Sequence, residues 1–318
     1  MSVILRILSE TLIPVYFVLG LGFYAGAQGR VDNRNTASIN VLLMHFALPC
    51  SLFLGVARTS VALLHTQAPL LIVLTIAMGL SYTLQFYLNR SVFHIPLKEA
   101  AVGSLTSSFA NNVAVGVPLL VGIYGPAGLT AVAVGILVGA LLLSPITLVI
   151  LECQDSEQAS RPLGKRLVSA CFSSFKRPVV LAPLAGLLWL LIGIKIPAPV
   201  DKSLDLIGKS TVGLALFLTG LLLSAEPFRL SANVLAGILV KNFVQPGIAL
   251  ALVFIFVLRG DLGREAFLLA ALPAGFFGTV FGARYDVRSV EMNSILVLST
   301  AIGIVTIPVA YLVSIHLP

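Results

Sequence analysis

Ten apolar stretches, each close to the length that crosses a bilayer, follow one another along this chain. They lie near 10–28, 36–57, 67–89, 99–124 and 127–150, then 179–196, 206–225, 231–258, 263–284 and 290–315. About 20 residues at 1.5 Å per residue span the hydrocarbon core, and longer stretches tilt or break. One sizeable polar interruption, Leu151–Arg177, separates five stretches from five. A chain of 318 residues that is 58% hydrophobic and 10% charged has too little polar surface to cover a soluble fold. The pattern predicts an all-α integral membrane protein with ten transmembrane helices. Pro14–Gly26 is kept as the first span, because no small-x-small cleavage site follows a basic leader.

The formal charge of +7 would suggest nucleic acid in a soluble protein, but no basic patch here is interleaved with aromatic residues. In a membrane protein it marks the cytoplasmic loops. Twelve Lys and Arg fall on the side of the central segment and seven on the other. The excess predicts a multi-pass plasma (inner) membrane protein with 151–177 in the cytoplasm and both termini extracytoplasmic. Within that segment Leu163, Leu167, Cys171, Phe172 and Phe175 recur at helical spacing, with Lys165, Arg166 and Lys176 between them. This reads as a helix lying on the inner leaflet, with a plain solvated linker as the alternative. Cys50, Cys153 and Cys171 make no disulfide framework and no metal spacing, so neither metal nor cofactor is expected.

Inside the fourth apolar stretch, Ser107–Pro118 reads Ser-Ser-Phe-Ala-Asn-Asn-Val-Ala-Val-Gly-Val-Pro. Two amides, Asn111 and Asn112, then Gly116 and Pro118, are out of place in a simple spanning helix. Proline removes a donor and clashes with the preceding turn, and the freed carbonyls must be satisfied by protein or a watery cavity. Two readings stand: a helix broken at a binding site, or a Pro-kinked helix with bonded amides. An internal repeat at an offset near 164 favours the first. Pro14-Val15 recurs as Pro178-Val179, Gly22 as Gly186, and Phe53-Leu-Gly55 resembles Phe217-Leu-Thr-Gly220. Five spans per half make the second half enter from the opposite side, as in the inverted repeats of secondary transporters. The counterpart of the fourth stretch is Ala271–Gly282, where Pro273, Gly275, Gly278 and Gly282 crowd one supposed helix. The expected organisation is a first repeat at 1–150, a cytoplasmic segment at 151–177 and a second, inverted repeat at 178–318, with broken helices 4 and 9 crossing.

Lys241 lies about ten residues into the eighth stretch, beside Asn242 and ahead of Pro246. An ammonium at membrane depth faces protein, water or an anion. It supplies positive potential for an anionic substrate, stands in for a coupling cation, or caps the carbonyls of the broken ninth helix. His45, four residues before Pro49, is either a proton or polar relay or a hydrogen-bonded packing residue. Glu10, Asp205 and Glu291 lie near segment ends and read as interfacial.

These stretches together resemble the auxin efflux carrier family, in its bacterial organic-acid permease branch. The resemblance rests on Phe109-Ala-Asn-Asn-Val-Ala-Val-Gly-Val-Pro-Leu119 with Tyr124-Gly125, and on Arg177-Pro-Val-Val-Leu-Ala-Pro183. It also rests on Ala215-Leu-Phe217, on Lys241 before Pro246, and on Ala271-Leu-Pro273 through Arg284-Tyr285. It implies alternating access, with helices 1, 2, 6 and 7 as scaffold and helices 3–5 and 8–10 moving. Substrate would bind beside the crossing through Asn111, Asn112, Lys241 and Gly275, with Gly116, Pro118, Pro273 and Gly278 breaking the helices. Phe276-Phe277 departs from the family pattern, and so does Gly213, which stands where many relatives carry Pro. The expected activity is a secondary carrier for a small organic anion such as malonate or malate, in a lipid bilayer, with a homodimer as one option for its assembly. A sodium-coupled symporter of the bile-acid carrier type and a non-transporting receptor are the alternatives. An intramembrane enzyme is not expected, because His45 alone builds no hydrolytic site, and no ATP-binding signature appears.

Overall fold

The computed structural model describes residues 13–33, 36–58, 67–152, 178–225, 229–275, 277, 278, 282, 287 and 289–317. Every regular element among them is helical. In chain order we label α1 Ile13–Ala27, α2 Ala37–Ala57, α3 Ala68–Val92, α4 Leu97–Ser108, α5 Val117–Tyr124, α6 Gly128–Val138 and α7 Ser144–Glu152. After the central segment come α8 Pro178–Ile192, α9 Ala198–Gly208, α10 Ser210–Ala225, α11 Ala232–Ile255, α12 Asp261–Ala271 and α13 Val290–Ser314. The inner-leaflet helix expected within 151–177 lies outside the described residues, as do Phe276, Arg284 and Tyr285.

Six helical runs among the described residues are long and apolar enough to cross a membrane: Ala37–Ala57, Ala68–Val92, Asn112–Leu151, Ala198–Ala225, Ala232–Ile255 and Val290–Ser314. The ten predicted stretches map onto fewer runs for three reasons. The first and sixth appear among the described residues as α1 and α8, each only 15 residues long. The fourth is cut, with α4 ending at Ser108, and its second half runs on from Asn112 through the fifth to Leu151. The ninth is cut after Ala271, so α12 is only 11 residues long.

The first cut is not where the sequence pointed. Chain direction changes at Phe109–Asn111, several residues ahead of Gly116 and Pro118. Those two instead sit in continuous helix, because a π turn at Asn112–Gly116 precedes the proline. The same device recurs. π turns at Leu42–Ala47, Gly139–Leu143 and Val240–Val244 end two residues before Pro49, Pro145 and Pro246. In these three the last N–H before the proline reaches back five residues: Leu48 to Leu43 O, Ser144 to Gly139 O and Gln245 to Val240 O. Proline has no N–H and its ring crowds the carbonyl four residues back. The wider turn relieves both and keeps the helix running. Pro183 and Pro308 lie inside α8 and α13 without such a turn. Pro273 is different: Leu272 before it is extended at φ −59°, ψ 147°, the conformation a following proline imposes, and the helix stops.

The chain forms two compact units, each drawn from both halves of the sequence. The first comprises Met1–Ala68, Asn112–Ile136 and Lys176–Glu226. In it α1 packs along α10, and α8 and α9 pack on α2. Glycines set the approach: a Cβ on Gly22 would overlap the Phe217 backbone, and one on Gly220 would overlap Leu19 O. Small residues at helix contacts let membrane helices touch backbone to backbone. The second unit comprises Pro69–Asn111, Leu137–Phe175 and Pro227–Pro318. Its centre is α4, contacted by α7, α11 and α13. All residues from Ala100 to Ser108 are buried, and the hydroxyls of Ser104, Thr106, Ser107 and Ser108 donate to the carbonyls four residues back. An all-round buried helix can thus carry four hydroxyls without stranding one.

Gly220→Ala should therefore cost about 1–3 kcal/mol through overpacking, read as a lower apparent melting temperature in detergent. Gly213→Ala, at a position facing open space on the same helix, should be neutral or slightly stabilising. Equal effects would refute the close-packing account.

Candidate functional site

Within the second unit the two interrupted helices meet. Ala110 and Ala274 form an antiparallel bridge, the only such pair among the described residues. Asn111 N–H donates to Pro273 O and Gly275 N–H donates to Phe109 O, both at 2.8 Å. Gly275 is required there, since a Cβ would stand 2.9 Å from Ala110 O. Gly278, expected at the break, is instead helical, and any side chain on it would overlap Thr106. The rings of Phe109 and Phe277 stack over the crossing with centroids 4.7 Å apart.

The breaks leave the last carbonyls of α4 and α12 without helical donors, and each such group left bare costs about 1–3 kcal/mol. α11 supplies what is missing. Lys241 is fully buried. Its Nζ donates to Ala270 O at 3.0 Å and to Gln245 Oε1 at 2.8 Å. Gln245, also fully buried, donates through Nε2 to Ser108 O at 3.0 Å. One ammonium and one amide, a helical turn apart, thus join the C-terminal ends of both interrupted helices. Both ends carry partial negative charge, which a cation stabilises. Next along, Asn242 and Ser299 of α13 exchange bonds: Ser299 Oγ donates to Asn242 Oδ1 at 2.6 Å, and Asn242 Nδ2 donates to Ser299 O at 3.2 Å. Ser299 Oγ then accepts from Ala274 N–H at 2.9 Å.

The remaining expected residues fall elsewhere. Asn111 is buried beside the bridge. Asn112 belongs to the first unit, where it opens the helical run Asn112–Leu151. It is 2% exposed, and its Nδ2 has no hydrogen-bond partner. Gly116, Pro118 and Pro273 are buried or half-buried backbone positions. His45 stands on an exposed side of α2, in a π turn, rather than in the packed interior. Glu291, read as interfacial, is half-buried in a polar seam of the second unit. It accepts from Asn233 Nδ2 at 2.7 Å, and Gln85 and Asn89 continue the seam.

The residues missed by the sequence reading are Gln245 and Ser299. Gln245 lies one helical turn after Lys241, which is a usable signal. Ser299 looks like any serine in an apolar helix. If Lys241 and Gln245 act as one cap, their losses are not additive. Gln245→Leu and Lys241→Met should each destabilise, and the double variant should fall short of the sum by about 0.5–3 kcal/mol. Denaturation of the four proteins in micelles measures this, and strict additivity would refute the shared cap.

The profile of a family described as membrane transport protein matches residues 7–311. The uncharacterized transporter YfdV of Escherichia coli (strain K12) is 27% identical over 306 residues, covering 95% of this chain and 96% of that protein. Auxin efflux carrier component 8 of Arabidopsis thaliana is 22% identical over 352 residues, covering 95% and 96%. Auxin efflux carrier component 3a of Oryza sativa subsp. japonica is 26% identical over 136 residues, 41% of this chain and 22% of that one. With its apolar helical runs and this near end-to-end match, the chain belongs to the membrane transport protein family that includes the auxin efflux carriers, and is a membrane transporter.

Proposed function

We propose that this transporter carries a small organic anion, a mono- or dicarboxylate such as malonate or malate, by alternating access. The observation that carries the reading is Asn112. A buried amide donor without a partner, at the first residue of a helical run, is costly unless a ligand completes it. A helix N-terminus attracts negative charge, so a carboxylate suits both features.

Two further observations support the mechanism. Residues 110 and 274 differ by 164, the offset of the sequence repeat. The bond from Asn111 to Pro273 and the bond from Gly275 to Phe109 exchange under that same offset. Such reciprocity is expected where a pseudo-two-fold axis passes through the crossing of inverted five-helix repeats at 1–150 and 178–318. Lys241 brings its ammonium to the Ala270 carbonyl at the end of α12, where a coupling cation would otherwise sit. This favours a carrier that needs no sodium over the sodium-coupled symporter. In the proposed topology 151–177 is cytoplasmic and both termini are extracytoplasmic, following the Lys and Arg excess.

In proteoliposomes, labelled malonate should undergo counterflow that small carboxylates block and that persists when choline replaces sodium. Asn112→Ala should cut exchange about tenfold or more, the worth of one hydrogen bond to a charged group, while the purified protein stays assembled. Exchange unaltered by that change would remove Asn112 from the site. Dependence on sodium would sink the fixed-cation account.

A further inference from the structure

We propose that a cavity built from the first unit alone binds an anionic amphiphile, with an acyl chain in its apolar interior and a carboxylate or phosphate head on Arg58 and Lys209. The cavity has a volume of about 530 Å³, inside the range of about 300–1,000 Å³ that holds small-molecule ligands. Its walls are helix faces of α2, α5, α6 and the α9–α10 junction. Leu54, Val117, Val121, Leu129 and Val212 make the walls apolar. Along α2 the lining runs from Ser51 to Arg58, two helical turns or about 10 Å.

Its charged lining residues are Arg58, Asp205 and Lys209, and they are gathered at one end by their own bonds. Arg58 Nε and Nη2 hold Asp201 at 3.0 and 2.8 Å, and Nη1 holds Asp205 at 3.1 Å. Lys209 Nζ reaches the other Asp205 oxygen at 2.6 Å. The hydrogen bonds that Arg58 donates to Asp201 raise its pKa above the ordinary value. Arg58 is the first residue past the apolar run Ala37–Ala57, so the cluster marks the boundary between hydrocarbon and polar surroundings. An occupant with its polar group at that boundary and its body below is an amphiphile.

The sign of its head follows from exposure, with donors left to receive it. Each carboxylate oxygen of Asp201 and Asp205 already faces a cation. A guanidinium has five N–H groups and an ammonium three. Three of the first and one of the second are used, leaving two on each. The cations also face outward: Lys209 and Arg58 side chains are 75% and 44% exposed, against 31% and 29% for Asp201 and Asp205. A carboxylate or phosphate can therefore be taken by exposed donors without dismantling the cluster, whereas a cationic head would have to reach the less exposed carboxylates past those cations. This proposal is independent of which substrate is carried.

The test is equilibrium binding of labelled decanoate to the purified full chain in a maltoside detergent. Saturable binding is expected, displaced by unlabelled decanoate but not by decanol or decyltrimethylammonium. Val212→Trp, which fills the cavity, should abolish it, and Lys209→Gln, at an exposed position, should weaken it about tenfold. Should the Val212 variant not assemble, Val121→Phe repeats the test from the facing wall. Equal displacement by decanol, or binding unchanged in the filled and Lys209 variants, overturns the proposal. Nanodiscs of phosphatidylcholine with and without phosphatidylglycerol separate the sources. Suppression of decanoate binding by phosphatidylglycerol identifies a bilayer phospholipid as occupant, and undiminished binding identifies a free carboxylate.

Discussion

A carbonyl that loses its helical donor at membrane depth has no water to turn to, and the second unit is arranged around that constraint. α4 and α12 both stop short, and their chains then cross as two extended strands of a few residues. Several of the main-chain groups exposed by this are answered. Asn111 and Gly275 bond across the bridge, Ser299 takes the Ala274 N–H, and α11 delivers Lys241 and Gln245 to the two carbonyl ends. The lysine is tolerable because it meets partial negative charge on arrival, and the helix ends are tolerable because a cation is there.

The same constraint explains why four other prolines do not break their helices. At Pro49, Pro118, Pro145 and Pro246 a π turn absorbs the missing donor, so the helix continues. At Pro273 no such turn intervenes, and Leu272 goes extended. Proline therefore has several outcomes in this molecule: a widened turn carries the helix past four of them, Pro183 and Pro308 lie in helix without one, and Pro273 ends its helix. The glycines divide likewise. Gly22 and Gly220 let whole helices pack, while Gly275 lets one extended backbone lie against another.

Charge is handled in two ways. In the second unit Lys241 is buried and spent on the Ala270 carbonyl and Gln245 Oε1. In the first, Arg58 and Lys209 sit where the apolar run ends, share two aspartates and keep donors in reserve. The first arrangement fixes a structure, and the second leaves a surface able to take an anion. Asn112 adds a third case, a buried neutral donor with nothing opposite it.

Much of this was legible beforehand. Apolar stretches and scarce charge determine a helical membrane protein, and the odd residues within Ser107–Pro118 and Ala271–Gly282 point to interrupted helices there, because lipid permits so few backbone conformations. Pro273 announces its break, since the restriction on the residue before it is local. The other break lies ahead of Gly116 and Pro118, the residues that suggest it, because a π turn leaves no sequence mark that distinguishes tolerance from rupture. Lys241 was visible as an ammonium in an apolar helix, but its partner was not. Only the tertiary structure decided that Ala270 O and Ser108 O converge on one turn of α11, that Ser299 answers Ala274, and that Arg58 meets Asp201 and Asp205. Those pairings join residues far apart in the chain, and spacing along a sequence carries no information about which distant backbone ends will need the same donor.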